Sequence, residues 1–183
     1  MTILHINASI NGESSASRAI SRSIVDKLLN ADPAATLVTR DLVSEPLPHL
    51  TLDAFADTSV LDEFLAADTI VIGAPMYNFT LPTQLKAWID RIVIAGTTFR
   101  YTENGPEGLT KGKRVIIALT RGGFYNQGSP AAALEHLETY LAGIFNFIGI
   151  EPEFVTADGL SVSAEQREES ISQALGETVR LAA

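Results

Sequence analysis

Apolar residues in this chain alternate between two rhythms. Short contiguous runs rich in β-branched residues fall at Thr2–Ala8, Thr36–Leu42, Asp68–Ala74, Arg114–Leu119 and Glu153–Ala157, the pattern of buried strands. Between them, apolar positions recur at helical spacing. Ile20, Ile24, Val25 and Leu28 make one stripe, ended by Asp32-Pro33. Val60, Leu61, Phe64 and Leu65 make a second, with Ser59 as its cap. Leu81, Leu85, Trp88, Ile89 and Ile92 make a third, behind Thr80 as candidate cap and Pro82 in the first turn. Leu134, Leu137, Leu141, Ile144, Phe145 and Ile148 form a fourth, and Ile171, Leu175 and Val179 a fifth, opened by a Ser163/Gln166 capping box. Two stretches break the rhythm. Pro46, Pro48 and the polar run to Thr58 form an aperiodic connection. Gly96–Lys113 combines strand-like Thr97–Thr102 with turn residues Glu103–Gly108 and predicts a hairpin excursion.

The order is βαβαβαβαβα without repeat or linker, which predicts a single α/β domain over residues 1–183. Such alternation makes a doubly wound, five-stranded parallel sheet with helices on both faces. Five strands suggest the flavodoxin-like order 2-1-3-4-5. Its switch point lies between strands one and three, so the loops after strands one, three and four converge on one crevice. Those loops are Ser9–Ser17, Met76–Phe79 and Thr120–Gly123.

Composition narrows the function. The 183 residues suffice for one domain with a sizeable core. A net charge of −9 argues against nucleic acid and anionic membranes as partners. With no cysteine there is no disulfide, thiolate nucleophile or cysteine-held zinc. No signal-peptide pattern opens the chain and no apolar run approaches the ~20 residues that span a bilayer, so a cytoplasmic location is expected. His5, His49 and His136 have no metal-ligand spacing, and no metal is expected. There is no P-loop, no G-x-G-x-x-G after a strand and no G-x-S-x-G elbow.

What remains is a set of loops suited to holding a ligand. Ser9, Ser14, Ser15 and Ser17 precede a helix, where hydroxyls, backbone N–H groups and the helix dipole suit a phosphate; a simple N-cap with a solvated loop is the competing reading. Met76-Tyr77-Asn78-Phe79 places two aromatics and an amide at a strand's carboxyl end, able to stack on a flat ring and bond its edge. Gly122-Gly123 allows close backbone approach to a ligand, and a β-branched residue at 122 would block it and strain any positive φ there. Arg121 adds a charge beside them; a tight turn with a solvated arginine is the alternative. The run Glu165–Glu169 reads as the solvated face and first turn of the last helix. No acid–base constellation is visible, which suits a protein whose cofactor carries the chemistry.

Several stretches are more specific: Ala74–Phe79, Thr83-Gln84-Leu85-Lys86, the segment Gly96–Gly108, Thr120–Gly123 and Phe147-Ile148-Gly149. Over nearly the whole chain the sequence resembles the FMN-dependent NADH-azoreductases, also described as NADH:quinone oxidoreductases. The resemblance implies a flavodoxin-like homodimer with bound FMN at the dimer edge and NADH as electron donor. Electrons would pass to a quinone or azo compound in a ping-pong scheme through the flavin, with no catalytic side chain. Ser9 and Ser15, Ala16 and Ser17 resemble the family's phosphate loop; Ala16 replaces a larger polar residue, so only its backbone carries over. Met76, Tyr77, Asn78 and Phe79 resemble the loop along the flavin ring. Thr120, Arg121, Gly122 and Gly123 resemble the loop at its pyrimidine end, where Thr120 keeps the hydroxyl of the family's frequent serine. Tyr101 and Phe147 match aromatics of the substrate pocket, and the segment Glu45–Ser59 is shorter than in longer relatives. Trp88 and Ile92–Ala95 add an apolar helix end that points to the same dimer. Two other classes compete: a flavodoxin-type electron carrier without a small-molecule substrate, and a nucleotide-binding regulatory module.

Overall fold

A computed structural model describes residues 1–182. Five parallel strands, β1 (Thr2–Asn7), β2 (Thr36–Asp41), β3 (Thr69–Pro75), β6 (Arg114–Thr120) and β7 (Glu153–Ala157), form one sheet in the order β2-β1-β3-β6-β7. This is the predicted 2-1-3-4-5 order once the excursion is set aside. The excursion is an antiparallel hairpin of β4 (Phe99–Thr102) and β5 (Gly105–Gly108). It is tied to the body through Thr110, whose N–H and hydroxyl both donate to the Ile148 carbonyl, at 3.1 and 2.6 Å.

Alternation along the central strands divides the core into two layers. Leu4, Ile6, Ile70, Ile72, Val115, Ile117 and Leu119 face α2 (Ser59–Ala66), α3 (Thr83–Ile92) and α4 (Glu138–Phe147). Ile3, Val71, Ile116 and Ala118 face α1 (Ala16–Ala31) and α5 (Ala164–Thr178). All seven residues of β3 are buried, as a strand covered on both faces requires. Among the described residues, no helix is long and apolar enough to cross a membrane.

Several helix boundaries depart from the sequence pattern. Thr58, not Ser59, occupies the cap position of α2. Helix α3 starts at Thr83 with Pro82 before it, because Thr80 is consumed by a turn with Tyr77. Leu134 lies in a short 3₁₀ turn and is exposed, whereas α4 begins four residues later. Only half the capping box of α5 forms: Ser163 accepts from the Gln166 N–H, but the Gln166 amide donates to Ser170. The buried face of α5 is Ser170, Ala174 and Thr178, while Val179 is exposed. Small residues let α5 approach α1 closely, with Ser23 Oγ and Thr178 Oγ1 3.2 Å apart. Trp88 and Ile92 are spent in the chain's own core, while of the rest of that apolar run Val93 and Ile94 are half-buried and Ala95 is exposed.

The approach of α1 to β3 places the first of the crevice loops. A Cβ on Gly73 would meet Ser21 Oγ at 3.1 Å and the Ser17 carbonyl oxygen at 3.2 Å. Glycine there lets the first turn of α1 sit against the carboxyl end of the central strand.

His5 of β1 faces the same helix, with Nε2 2.9 Å from Ser21 Oγ. Burial, then the nearby Arg22 and Arg18 guanidinium groups, push its pKa from 6.5 down to about 4. Between those values the unfolded chain binds a proton at His5 that the folded chain refuses, so stability falls as pH drops through that window. The shift corresponds to about 3 kcal/mol. We expect urea midpoints to fall between pH 6.5 and 4, and His5→Gln to flatten that slope; an unchanged slope would place the acid sensitivity elsewhere.

Candidate functional site

The loops after β1, β3 and β6 meet at the carboxyl edge of the sheet around a crevice of about 270 Å³. Ser9, Ser15, Ala16, Met76, Tyr77, Thr120, Arg121 and Gly122 line it, as do Asn11, Ser14, Leu160, Ser161 and Arg167. On the far side of Met76 and Tyr77 it adjoins a wider groove of about 620 Å³ running along Leu81 and Pro82.

The serine loop is a helix start with free backbone donors. Ser15 is the N-cap of α1 and accepts from the Arg18 N–H at 3.3 Å. Among the described residues, no protein acceptor takes the N–H groups of Ala16 and Ser17, which leaves two first-turn donors free. The Ser17 hydroxyl is buried 3.1 Å from Ser15 Oγ, and Ser17, like Gly123, is not among the residues that line the crevice. Ser9 is fully buried, with its hydroxyl 3.2 Å from the Tyr77 phenol, which also accepts from the Ile10 N–H. Arg18 fixes the whole loop. Its guanidinium donates twice to the Ser9 carbonyl and forks onto both oxygens of Asp41. The Arg18 hydrogen bond holds the Asp41 carboxyl below its ordinary range.

Met76–Phe79 forms a tight turn in which Tyr77 and Thr80 exchange N–H···O bonds of 2.9 and 3.1 Å. Asn78 and Phe79 carry φ of 47° and 72°. Asparagine tolerates the left-handed region, but for phenylalanine it costs roughly 1 kcal/mol or more. The turn is pinned from outside: His136 N–H donates to the Phe79 carbonyl at 3.1 Å, and Thr80 Oγ1 to the His136 carbonyl at 3.2 Å. Met76 and Tyr77 are half-buried, while Asn78 and Phe79 project at the rim.

The third loop is laced to the loop after β7. Arg121 N–H donates to Ala157, Leu160 N–H to Arg121, Ser161 N–H to Gly122 and Gly159 N–H to Gly123, all at 2.9–3.1 Å. The N–H groups of Gly122 and Gly123 find no protein acceptor among the described residues. Neither glycine has positive φ, so the expected backbone strain at 122 does not exist there. The constraint is space: a Cβ on Gly122 would meet Ser161 Oγ at 2.9 Å.

Arg121 is 3% exposed, which overturns the solvated-arginine alternative. Its guanidinium lies 2.6 Å from Asp158, 3.1 Å from Glu138 and 3.5 Å from Glu135, and its Nη1 has no hydrogen-bond partner. Burial pushes the Glu135 carboxyl up, but the N–H groups of Thr139, Glu138 and Leu137 outweigh that and hold it below its usual value. Arg121 thus fastens the glycine loop to α4, and its charge is outweighed by three carboxylates.

Tyr101 and Phe147 come together with Phe99, at ring separations of 5.5 and 4.6 Å, but they lie on the hairpin and the end of α4 and line none of the crevice. Tyr101 is 74% exposed. Sequence reading missed Arg18, Ser161 and Arg167. The first carried a signal, a basic residue in the first turn of a helix behind a serine loop; the other two come from a fourth loop and helix that topology alone did not bring to the crevice. Among the described residues, no three His, Asp or Glu side chains cluster as metal ligands.

Residues 1–181 match the family described by its flavodoxin-like fold. The chain is 51% identical to FMN-dependent NADH:quinone oxidoreductase 2 of Bradyrhizobium diazoefficiens, over 96% of each protein. It is 50% identical to the FMN-dependent NADH:quinone oxidoreductase of Sinorhizobium fredii over the full length of both. Among solved structures it is similar to azoreductase AzrA, with TM-score 0.92 and 31% identity over 100% of this chain and 99% of that one. A Bacillus anthracis FMN-dependent NADH-azoreductase solved in complex with FMN gives TM-score 0.86 at 27% identity, again over 100% and 99%.

The buried cluster gives a direct stability test. Arg121→Met would leave three carboxylates facing one another without a cation, at a cost of about 3–5 kcal/mol. Asp158→Asn leaves Glu135 and Glu138 to hold the guanidinium and should cost less. Chemical denaturation reads both; equal midpoints for Arg121→Met and the unmodified protein would show that this cluster does not hold the loop.

Proposed function

The chain belongs to the flavodoxin-like family matched by its residues 1–181, and from that membership we propose that it is an FMN-dependent oxidoreductase taking two electrons from NADH and delivering them to quinones and azo compounds. One observation carries the reading. At the switch point of the sheet, Ser15, Ala16 and Gly122 line one crevice, the N–H groups of Ala16 and Gly122 are free, and those of Ser17 and Gly123, next to them in the chain, are free as well. That donor set fits FMN: a phosphate accepts hydrogen bonds at a helix start, and the carbonyl-rich edge of a flavin accepts them from backbone N–H groups.

In this reading Ser9, Ser15, Ala16 and Ser17 hold the phosphate. The strained turn Met76–Phe79 flanks the ring with the Met76 and Tyr77 side chains, and Asn78 and Thr120 add hydrogen bonds at its polar edge. The backbone of Arg121 and Gly122-Gly123 lies at that same pyrimidine edge. When bound, FMN supplies a ring that takes up and gives back two electrons. The chain's own part is to orient that ring, exclude water from one side of it and leave the other open to substrate. No side chain acts as a general acid or base.

We read the protein as a homodimer. Tyr101 and Phe147 stand apart from the crevice of their own chain, and Tyr101 is exposed on a projecting hairpin. A second copy would carry this aromatic cluster over the neighbouring crevice as a substrate wall. Light scattering should give twice the chain mass of 19.6 kDa; a monomer at micromolar concentration contradicts the assembly.

NADH and the electron acceptor use this crevice in turn. Direct transfer requires reacting atoms about 3–3.5 Å apart, and no G-x-G-x-x-G segment offers NADH a separate seat. Initial rates with NADH and a soluble quinone should give parallel double-reciprocal lines, with high quinone inhibiting competitively against NADH. Converging lines would mean that both substrates bind together. An absence of sustained NADH consumption would instead favour an electron carrier.

A further inference from the structure

We propose that Arg167, in the first turn of α5, is a binding residue for the cofactor's phosphate and makes the site prefer the phosphorylated flavin. The inference rests on the FMN reading above and extends it to a residue from the far end of the chain.

Arg167 lines the crevice beside Ser14, Ser15, Ala16 and Ser161. Its Nη2 donates to the Ser14 carbonyl at 3.0 Å, immediately before the helix cap whose next two N–H groups are free. That bond uses one of the five N–H groups of the guanidinium. Arg18, Arg22, Arg40, Arg100, Arg114 and Arg121 each pair with a carboxylate, and buried Arg91 donates to the Ala87 and Pro48 carbonyls, whereas no carboxylate lies within 4.0 Å of Arg167 among the described residues. In a chain with 22 acidic and 13 basic residues, an arginine facing a cavity without a carboxylate partner has been left its charge.

The charge is needed there. A phosphate monoester brings up to two negative charges into the crevice. A helix start offers only about half a positive charge. The other cation lining the crevice, Arg121, is outweighed by Glu135, Glu138 and Asp158. Arg167 is therefore the one uncompensated cation at the crevice among the described residues, and its planar fork suits phosphate oxygens.

The test compares two ligands that differ only in the phosphate. Full-length protein stripped of flavin is titrated with FMN and with riboflavin, by quenching of flavin fluorescence, for the unmodified chain, Arg167→Gln and Arg167→Lys. We expect the unmodified chain to prefer FMN. Arg167→Gln should weaken FMN by about tenfold or more and leave riboflavin unchanged, and Arg167→Lys should fall between. Arg167→Gln that keeps the FMN-to-riboflavin ratio overturns the proposal, whether both affinities hold or both fall together; the latter would mean that Arg167 merely braces Ser14. Riboflavin binding as tightly as FMN in the unmodified chain overturns it as well. Failure of the unmodified chain to bind either flavin defeats the cofactor reading itself.

Discussion

Helix α1 begins with two backbone N–H groups that nothing in the described protein accepts, and it holds them against the carboxyl edge of a buried sheet. Leaving such donors unpaired is costly unless water or a ligand takes them. Much of the surrounding structure serves to keep them in that position. Gly73 removes the Cβ that would hold the helix off β3. Arg18 ties the preceding loop to Asp41 at the end of β2, and Tyr77 joins it to the loop after β3. The donors are fixed before any ligand arrives, which lowers the ordering cost of binding.

The other two loops are held by different means. The turn at Asn78 and Phe79 keeps an unfavourable backbone conformation because hydrogen bonds from the segment before α4 over-determine it. The glycine loop has no such strain; one backbone bond to the end of β7, three to the loop after it and a buried guanidinium hold it. A buried charge cluster is a poor source of net stability compared with an apolar one. Its geometry here directs the side chain of Arg121 away from solvent and leaves the N–H groups of Gly122 and Gly123 free.

Much of this was legible in the chain. Contiguous β-branched runs gave all five sheet strands to within a residue or so, and alternation with helices gave their order. From that order three of the crevice loops followed. The misses share a cause. Counting large apolar residues cannot see faces built for close approach, so the stripe of α5 was centred on Ile171, Leu175 and Val179, of which Leu175 packs against the core, and missed the buried Ser170, Ala174 and Thr178. Local cap rules cannot see a residue already committed elsewhere, as Thr80 is to its turn. Arg167 sits in an acidic helical run and is 153 residues from its partner Ser14, so nothing local marks it. The placement of Tyr101 and Phe147 away from the crevice was equally invisible, because a motif names residues without saying how the hairpin that carries one of them stands relative to the loops.

The donors around the crevice have one further property in common. They are backbone N–H groups, hydroxyls and guanidinium groups, none of which titrates between neutral pH and mild acid. The two neighbouring carboxylates whose values shift, Asp41 and Glu135, are both held below their ordinary range and so stay ionised further into acid. Those two carboxylates keep their charge while His5, buried one layer behind on β1, resists protonation. Acid acts on the scaffold through His5 of β1. An arrangement that leaves redox chemistry to a bound ring needs fixed donors more than tunable ones, and the placement of the titrating group in the strand and not in the loops is consistent with that demand.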